Sequence, residues 1–344
     1  MITCLTESPL PMQEKSSFYK SATCPLFVAH CTNNFTIVGG GGGSSKSGVQ
    51  NKISIYKNDE LKSEFEFGSN LVIGLYQIED STRFFVVTLS YIFLVELDEE
   101  NSCFKQISKF HLPSEPQAHC ISGQHLILGL NGCLVYYSLV QNEIVVVHSQ
   151  NIHIQEQISK VSKIHTFAGK YLIVVTPNAV LKIQLLQQDK DDIIEGIIEH
   201  TDEELHIDYP SQIFQINEKV IATVVLDRKA RCSHINLFND KFELQKQYKL
   251  GFLVAAAKYQ DNFYFTTSCG KLIVKSQSFK TLLKTQLKID NMITGMCING
   301  NSIVIIAVEG FQKLELIEAK RSCKSYAVVV VSVAIISFLY ALGM

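Results

Sequence analysis

Little of the sequence between residues 20 and 318 repeats its apolar positions with the 3.6-residue period of a helix. Short runs of valine, isoleucine, leucine and aromatic residues recur instead between turn residues, the pattern of an all-β fold. The runs come in pairs, and each pair predicts a hairpin. Residues 84–87 pair with 91–95, 126–128 with 133–137, 172–175 with 180–183, 220–225 with 234–238, 263–266 with 271–274, and 303–306 with 311–316. An earlier pair, 35–38 with 52–56, fits the same series. From the second pair on, first strands begin at Phe84, Leu126, Leu172, Val220, Phe263 and Ile303, so one unit recurs every 40–48 residues.

Seven units of that length match the four-stranded blades of a propeller. Each hairpin then needs one further strand on either side, as at 117–121 and 292–297. The repeats lack the Gly-His and Trp-Asp pairs of typical WD-type repeats. The prediction is therefore a divergent seven-bladed β-propeller over residues 1–318, with a pair of β-sandwiches as the alternative. After Leu316 no fourth strand remains for the last blade, so an N-terminal segment, 1–5 or 16–20, is expected to close the ring. Closure removes sheet edges that would otherwise invite pairing.

The last 19 residues, 326–344, carry no charged side chain. A helix of that length spans roughly 28 Å, close to the hydrocarbon thickness of a bilayer. A buried strand would be unusual, since strands rarely exceed about 10 residues, and in lipid a single pass must be helical. Lys320, Arg321 and Lys324 stand just before this segment, in the basic stretch 319–325. The positive-inside rule then puts residues 1–325 in the cytosol. Residues 1–10 show no signal-peptide pattern. The expectation is a cytosolic domain anchored by its tail, in which the Asn34-Phe35-Thr36 sequon stays unmodified.

Composition narrows the chemistry. Lys+Arg 31 against Asp+Glu 33 leaves a net charge of -2, without the basic excess expected of a nucleic-acid binder. None of the ten cysteines stands at C-x-x-C spacing, which argues against common zinc and thioredoxin motifs. They read as reduced thiols of a cytosolic core. Histidines stand singly, and neither H-E-x-x-H nor G-x-S-x-G occurs, so no hydrolase or zinc enzyme has an anchor. Residues 189–208 carry nine acidic residues and one lysine, and read as a solvated loop of the fourth blade.

One hairpin breaks the rhythm. Between its strands the first blade carries Gly39-Gly40-Gly41-Gly42-Gly43-Ser44-Ser45-Lys46-Ser47-Gly48-Val49-Gln50-Asn51, where two to five residues would do. A phosphate-binding loop is one reading, since Gly40 to Ser47 nearly fits G-x-x-x-x-G-K-[ST]. The sixth position is Ser45, however, and a strand rather than a helix follows. A slack surface insertion is the second reading. The third is a loop ordered by an ion or a partner, because consecutive glycines let carbonyls converge and hard cations take rings of oxygens.

The stretch Phe27-Val28-Ala29-His30, then Asn33-Asn34-Phe35-Thr36-Ile37-Val38, then Gly40-Gly41-Gly42-Gly43-x-x-Lys46-x-Gly48-Val49-x-Asn51-Lys52 resembles the first blade of one family. These are the ER-membrane guanine-nucleotide exchange factors of the Sar-type small GTPase, the prolactin regulatory element-binding protein family, which starts COPII coat assembly. The resemblance implies a seven-bladed cytosolic propeller, a glycine-rich loop ordered by potassium, and a C-terminal membrane helix. It implies exchange activity without covalent chemistry. The loop tip, Gly48, Val49 and Gln50, would act on the GTPase, with Val49 inserting. Gly40, Gly41, Gly42, Gly43 and Asn51 would surround the ion, Asn51 either lending it an oxygen or pinning the loop base. Gln50 stands where fungal members often have proline. A membrane-tethered propeller acting as a non-catalytic interaction scaffold is the rival.

Overall fold

The computed structural model describes residues 11–184 and 210–318, except residues 33, 44–46, 80, 155–156, 159–160, 162, 168–170, 177–179, 218, 228, 240, 242 and 290–291. The expected tail helix 326–344, the basic stretch 319–325, the acidic loop 189–208 and the closing candidate 1–5 lie outside the described residues, as does Lys46 of the glycine-rich loop. Among the described residues no helix is long and apolar enough to cross a membrane.

Every predicted hairpin is present, and its strands lie inside observed ones: 84–87 within Arg83–Thr88, for example, and 234–238 within Cys232–Asn239. The described strands form six four-stranded antiparallel sheets and one three-stranded sheet in chain order, with a two-stranded ribbon between the third and fourth. In the first sheet the order is Leu26–Cys31, Phe35–Gly40, Lys52–Lys57, Glu60–Glu66. First strands touch one another in succession. Leu26–Cys31 meets Val72–Gln77, which meets Ala118–Ser122, then Lys163–Phe167, Pro210–Asn217, Leu253–Tyr259 and Ile293–Asn299. This last strand returns to Leu26–Cys31, so the succession closes into a propeller-like ring.

Face-to-face packing explains the sequence pattern. Phe84, Phe85, Val86 and Val87 are all fully buried, because an inner strand has a neighbouring sheet on each side. Phe84 and Val86 join Ile37, Ile53 and Ile55 of the first sheet, while Phe85 and Val87 join Leu126 and Leu128 of the third. Outer strands such as Glu60–Glu66 instead alternate exposed and half-buried positions. Apolar runs therefore mark second and third strands, and weaker alternation marks fourth strands.

The last sheet is completed from the other end of the chain. Met12–Ser21 pairs antiparallel with Gly310–Glu318, in a register running from Met12↔Glu318 to Ser21↔Gly310. This strand contains the candidate 16–20. Phe18 lies against Phe311, and Gln312 Nε2 donates to Ser17 Oγ at 2.8 Å. The seam is further tied by Thr294 Oγ1 donating to Leu26 O at 2.6 Å and Asn299 Nδ2 donating to Cys31 O at 3.1 Å. The expectation of reduced cysteines throughout fails here. Cys31 and Cys297 form a disulfide, because the ring brings their Cα atoms to 6.4 Å, within bridging range. The other six described cysteines are thiols.

Candidate functional site

In the first sheet the second strand, Phe35–Gly40, reaches the third, Lys52–Lys57, through residues 41–51. The first two glycines of the run belong to the sheet, with Gly39 opposite Ile53 and Gly40 opposite Lys52. A Cβ on Gly39 would stand 2.7 Å from Ile53 Cγ1, and one on Gly40 would strike the carbonyl of Pro25. Gly41 N donates to that same carbonyl at 2.9 Å. Close backbone approach, rather than flexibility, is what these positions require.

Asn51 fastens the base of the loop. Its side chain is buried, at 2% exposure, and is fully engaged. Oδ1 accepts from Gly43 N at 3.0 Å, while Nδ2 donates to Gly43 O at 2.7 Å and to Gly68 O at 2.8 Å. Its backbone carbonyl accepts from Phe67 N at 2.8 Å. These hydrogen bonds tie the base of the loop to Asn51. Gly43 holds φ at +81°, a region that side-chain-bearing residues rarely enter. Beneath the loop, Lys52 is buried with its Nζ 2.9 Å from Glu64, and Ser54 Oγ donates to the same carboxylate at 2.9 Å. Burial works against ionisation of Glu64. The hydrogen bonds from Lys52 and Ser54 nonetheless hold its pKa below the usual carboxylate value.

At the tip, Gly48 and Gln50 are exposed, and Gln50 Nε2 donates to Glu66 Oε1 at 3.0 Å. Val49 is half-buried. Part of its side chain packs on the seam cluster of Leu26, Val38, Tyr56 and Phe311, and its backbone N donates to Ser47 Oγ at 3.2 Å.

A Cβ on Gly41 would strike Asn51, and one on Gly42 would stand 2.5 Å from both Ser47 Oγ and Val49 Cβ. Asn51, Ser47 and Val49 already take the space beside these two residues, so only glycine fits there. Gly40 is held in the ladder by Leu26 and Lys52 on its two sides, and the Gly43 carbonyl already accepts from Asn51. Of the four glycines expected around the ion, Gly41 lies against Asn51 and Gly42 against Ser47 and Val49.

His30 of the same motif has an architectural part. It shares a hydrogen bond of 3.0 Å with Gln77 Oε1 of the second sheet and meets Phe84 edge-on. Burial lowers its pKa. Sequence reasoning missed Pro25, Gly68 and Glu64 as supports of the loop. Gly68 carried a usable signal, a glycine just after the fourth strand, here at φ +61°.

No protein-family model and no curated protein matches the chain. Solved structures do resemble it. Sqt1 of Saccharomyces cerevisiae superposes with a TM-score of 0.62 at 10% identity, over 90% of this chain and 100% of that one. Raptor of Chaetomium thermophilum gives 0.68 at 10% identity, over 91% of this chain and 30% of that one. Virginiamycin B lyase of Staphylococcus aureus gives 0.59 at 13% identity, over 88% and 100%. At such identities the likeness is one of fold.

Proposed function

We propose that the chain is a seven-bladed β-propeller of divergent WD-type repeats, tethered to the ER membrane by a helix over 326–344. In this reading it faces the cytosol and is a guanine-nucleotide exchange factor for the Sar-type small GTPase, starting COPII vesicle formation. The supporting observation is the loop 41–51, pinned at its base by the buried side chain of Asn51 instead of being left slack.

Exchange needs no covalent chemistry. A small GTPase holds its nucleotide through phosphate and magnesium contacts made by its P-loop and switch segments. A protein that binds the nucleotide-free state more tightly lowers the barrier to release. Gly48, Val49 and Gln50 form the contacting tip, and the exposed part of Val49 enters between switch elements. Asn51 holds the base in one conformation beforehand, so less ordering entropy opposes binding. A potassium ion held by the carbonyls of Gly41 and Gly42, with Gly40 and Gly43 flanking them, would add fixed positive charge and rigidity.

The second reading, a membrane-tethered scaffold without exchange activity, draws on the packing of Val49 against its own seam. A nucleotide-release assay with the full chain and its GTPase separates the two. The exchange reading expects accelerated release, abolished by Val49→Asp in a protein that still folds and slowed when lithium replaces potassium. Val49→Asp that folds and exchanges normally, or wild-type protein without any acceleration, favours the scaffold.

A further inference from the structure

On the fifth sheet, Val220–Asp227 turns into Cys232–Asn239 with Asp227 directly opposite Cys232. Alternate residues of a strand share a face, so His234 stands on the same side as both. One ligand atom from each of the three lies within 4.8 Å of the others. Cys232 Sγ is 3.6 Å from His234 Nε2. As a hydrogen bond that contact is weak, since a thiol is a poor partner. As the edge of a metal site it fits. Bonds of ~2.3 Å from zinc to sulfur and ~2.0 Å to nitrogen, opened at the tetrahedral angle, put the two atoms about 3.5 Å apart.

Two further features agree. Asp227 Oδ1 accepts from Ala230 N at 2.8 Å, which fixes the carboxylate at the mouth of the pair. Gly251 lies across from Cys232 on the fourth strand, and a Cβ there would meet only Thr267 Cγ2, at 3.8 Å, so room is left above the sulfur.

We propose that Asp227, Cys232 and His234 bind a zinc-class divalent cation, with three protein ligands and a fourth position left to water. Binding releases the thiol proton to solvent, because the thiolate is the ligand. Softness and geometry select zinc or cobalt over magnesium or calcium, which prefer all-oxygen sites. The site is independent of the exchange reading.

Cobalt titrated into the full chain, stripped beforehand with a chelator, is the test. One Co²⁺ per chain should bind with the near-ultraviolet absorption of a thiolate-to-metal transition, and Zn²⁺ should displace it. Cys232→Ser should lose the band, whereas Cys269→Ser, which removes an exposed thiol, should keep it. Asp227→Asn and His234→Gln, at half-exposed positions, should weaken binding by more than the roughly 10–100-fold that loss of an outer-shell partner costs. Folded wild-type protein without the band, or a band surviving in Cys232→Ser, overturns the site. If Cys232→Ser does not fold, undiminished cobalt affinity in His234→Gln does the same.

Discussion

In the second sheet the chain passes from Arg83–Thr88 to Tyr91–Asp98 through Leu89 and Ser90 alone. The hydroxyl of the fully buried Thr88 closes that turn, donating to Tyr91 O and accepting from Tyr91 N, each at 2.9 Å. In the first sheet the same connection takes residues 41–51, and a side chain again closes it, this time the amide of Asn51. The neighbouring sheets are otherwise alike, and their inner strands share one core. The sheet therefore does not need the long loop. Ordering its residues costs ~1–2 kcal/mol each in backbone entropy, most for the glycines. The hydrogen bonds of Asn51 offset part of that cost at the base of the connection.

The sharpest way to break the comparison is Asn51→Ala. It strips partners from Gly43 N, Gly43 O and Gly68 O at once. At about 1 kcal/mol per hydrogen bond, stability should fall by about 3 kcal/mol, read as a lower urea midpoint at unchanged slope. A loss under about 1 kcal/mol would mean that Asn51 is not the fastening. In the second sheet, Thr88→Val keeps the side-chain shape and removes both hydroxyl hydrogen bonds, so about 2 kcal/mol should be lost on the same scale. If the two substitutions act on separate fastenings, their effects should add in the double variant.

Acid offers a third contrast. His119 in the third sheet bonds to Tyr76 of the second, and burial lowers its pKa from 6.5 to about 4. The unfolded imidazole takes a proton below about pH 6.5, whereas the folded one stays neutral until about pH 4. Stability from this residue is thus complete above pH 6.5 and falls as pH drops through that window, by up to about 1.4 kcal/mol per pH unit. His119→Gln should flatten this slope in thermal melts, and Asn51→Ala should leave it unchanged. The smallest effect belongs to Gly43→Ala. Among the described residues a Cβ there meets nothing within 4 Å, so only the φ of +81° opposes it, at about 1 kcal/mol. A larger loss would show that the loop tolerates no change at all.

Local chemistry made much of this protein legible. A strand buried on both faces must be apolar without interruption, and so the runs at 84–87 or 303–306 mark inner strands wherever the ring places them. The length of the glycine-rich connection was equally plain, since its flanking strands are unmistakable. Asn51 could be singled out, but not its hydrogen-bond partners, because Gly68 lies beyond the next two strands. Cys232 and His234 stand in no C-x-x-C pattern. Asp227 joins them only across a hairpin whose register decides which side chains share a face.

The chain's own pattern of residues determined the strands, their pairing into hairpins and the one connection too long for its sheet. All of these depend on neighbours within a few residues. Tertiary structure alone decided how the ends meet. Met12–Ser21 pairs with Gly310–Glu318 and Cys31 bonds to Cys297 because the ring returns to its start. A strand edge offers the same hydrogen bonds to any partner, so only the packing of successive sheets selects this one. Val49 shows the same division of labour. Its sequence setting marks an apolar tip, while the fold turns part of that tip back onto the seam, where burial of methyl groups against Leu26, Tyr56 and Phe311 is favourable.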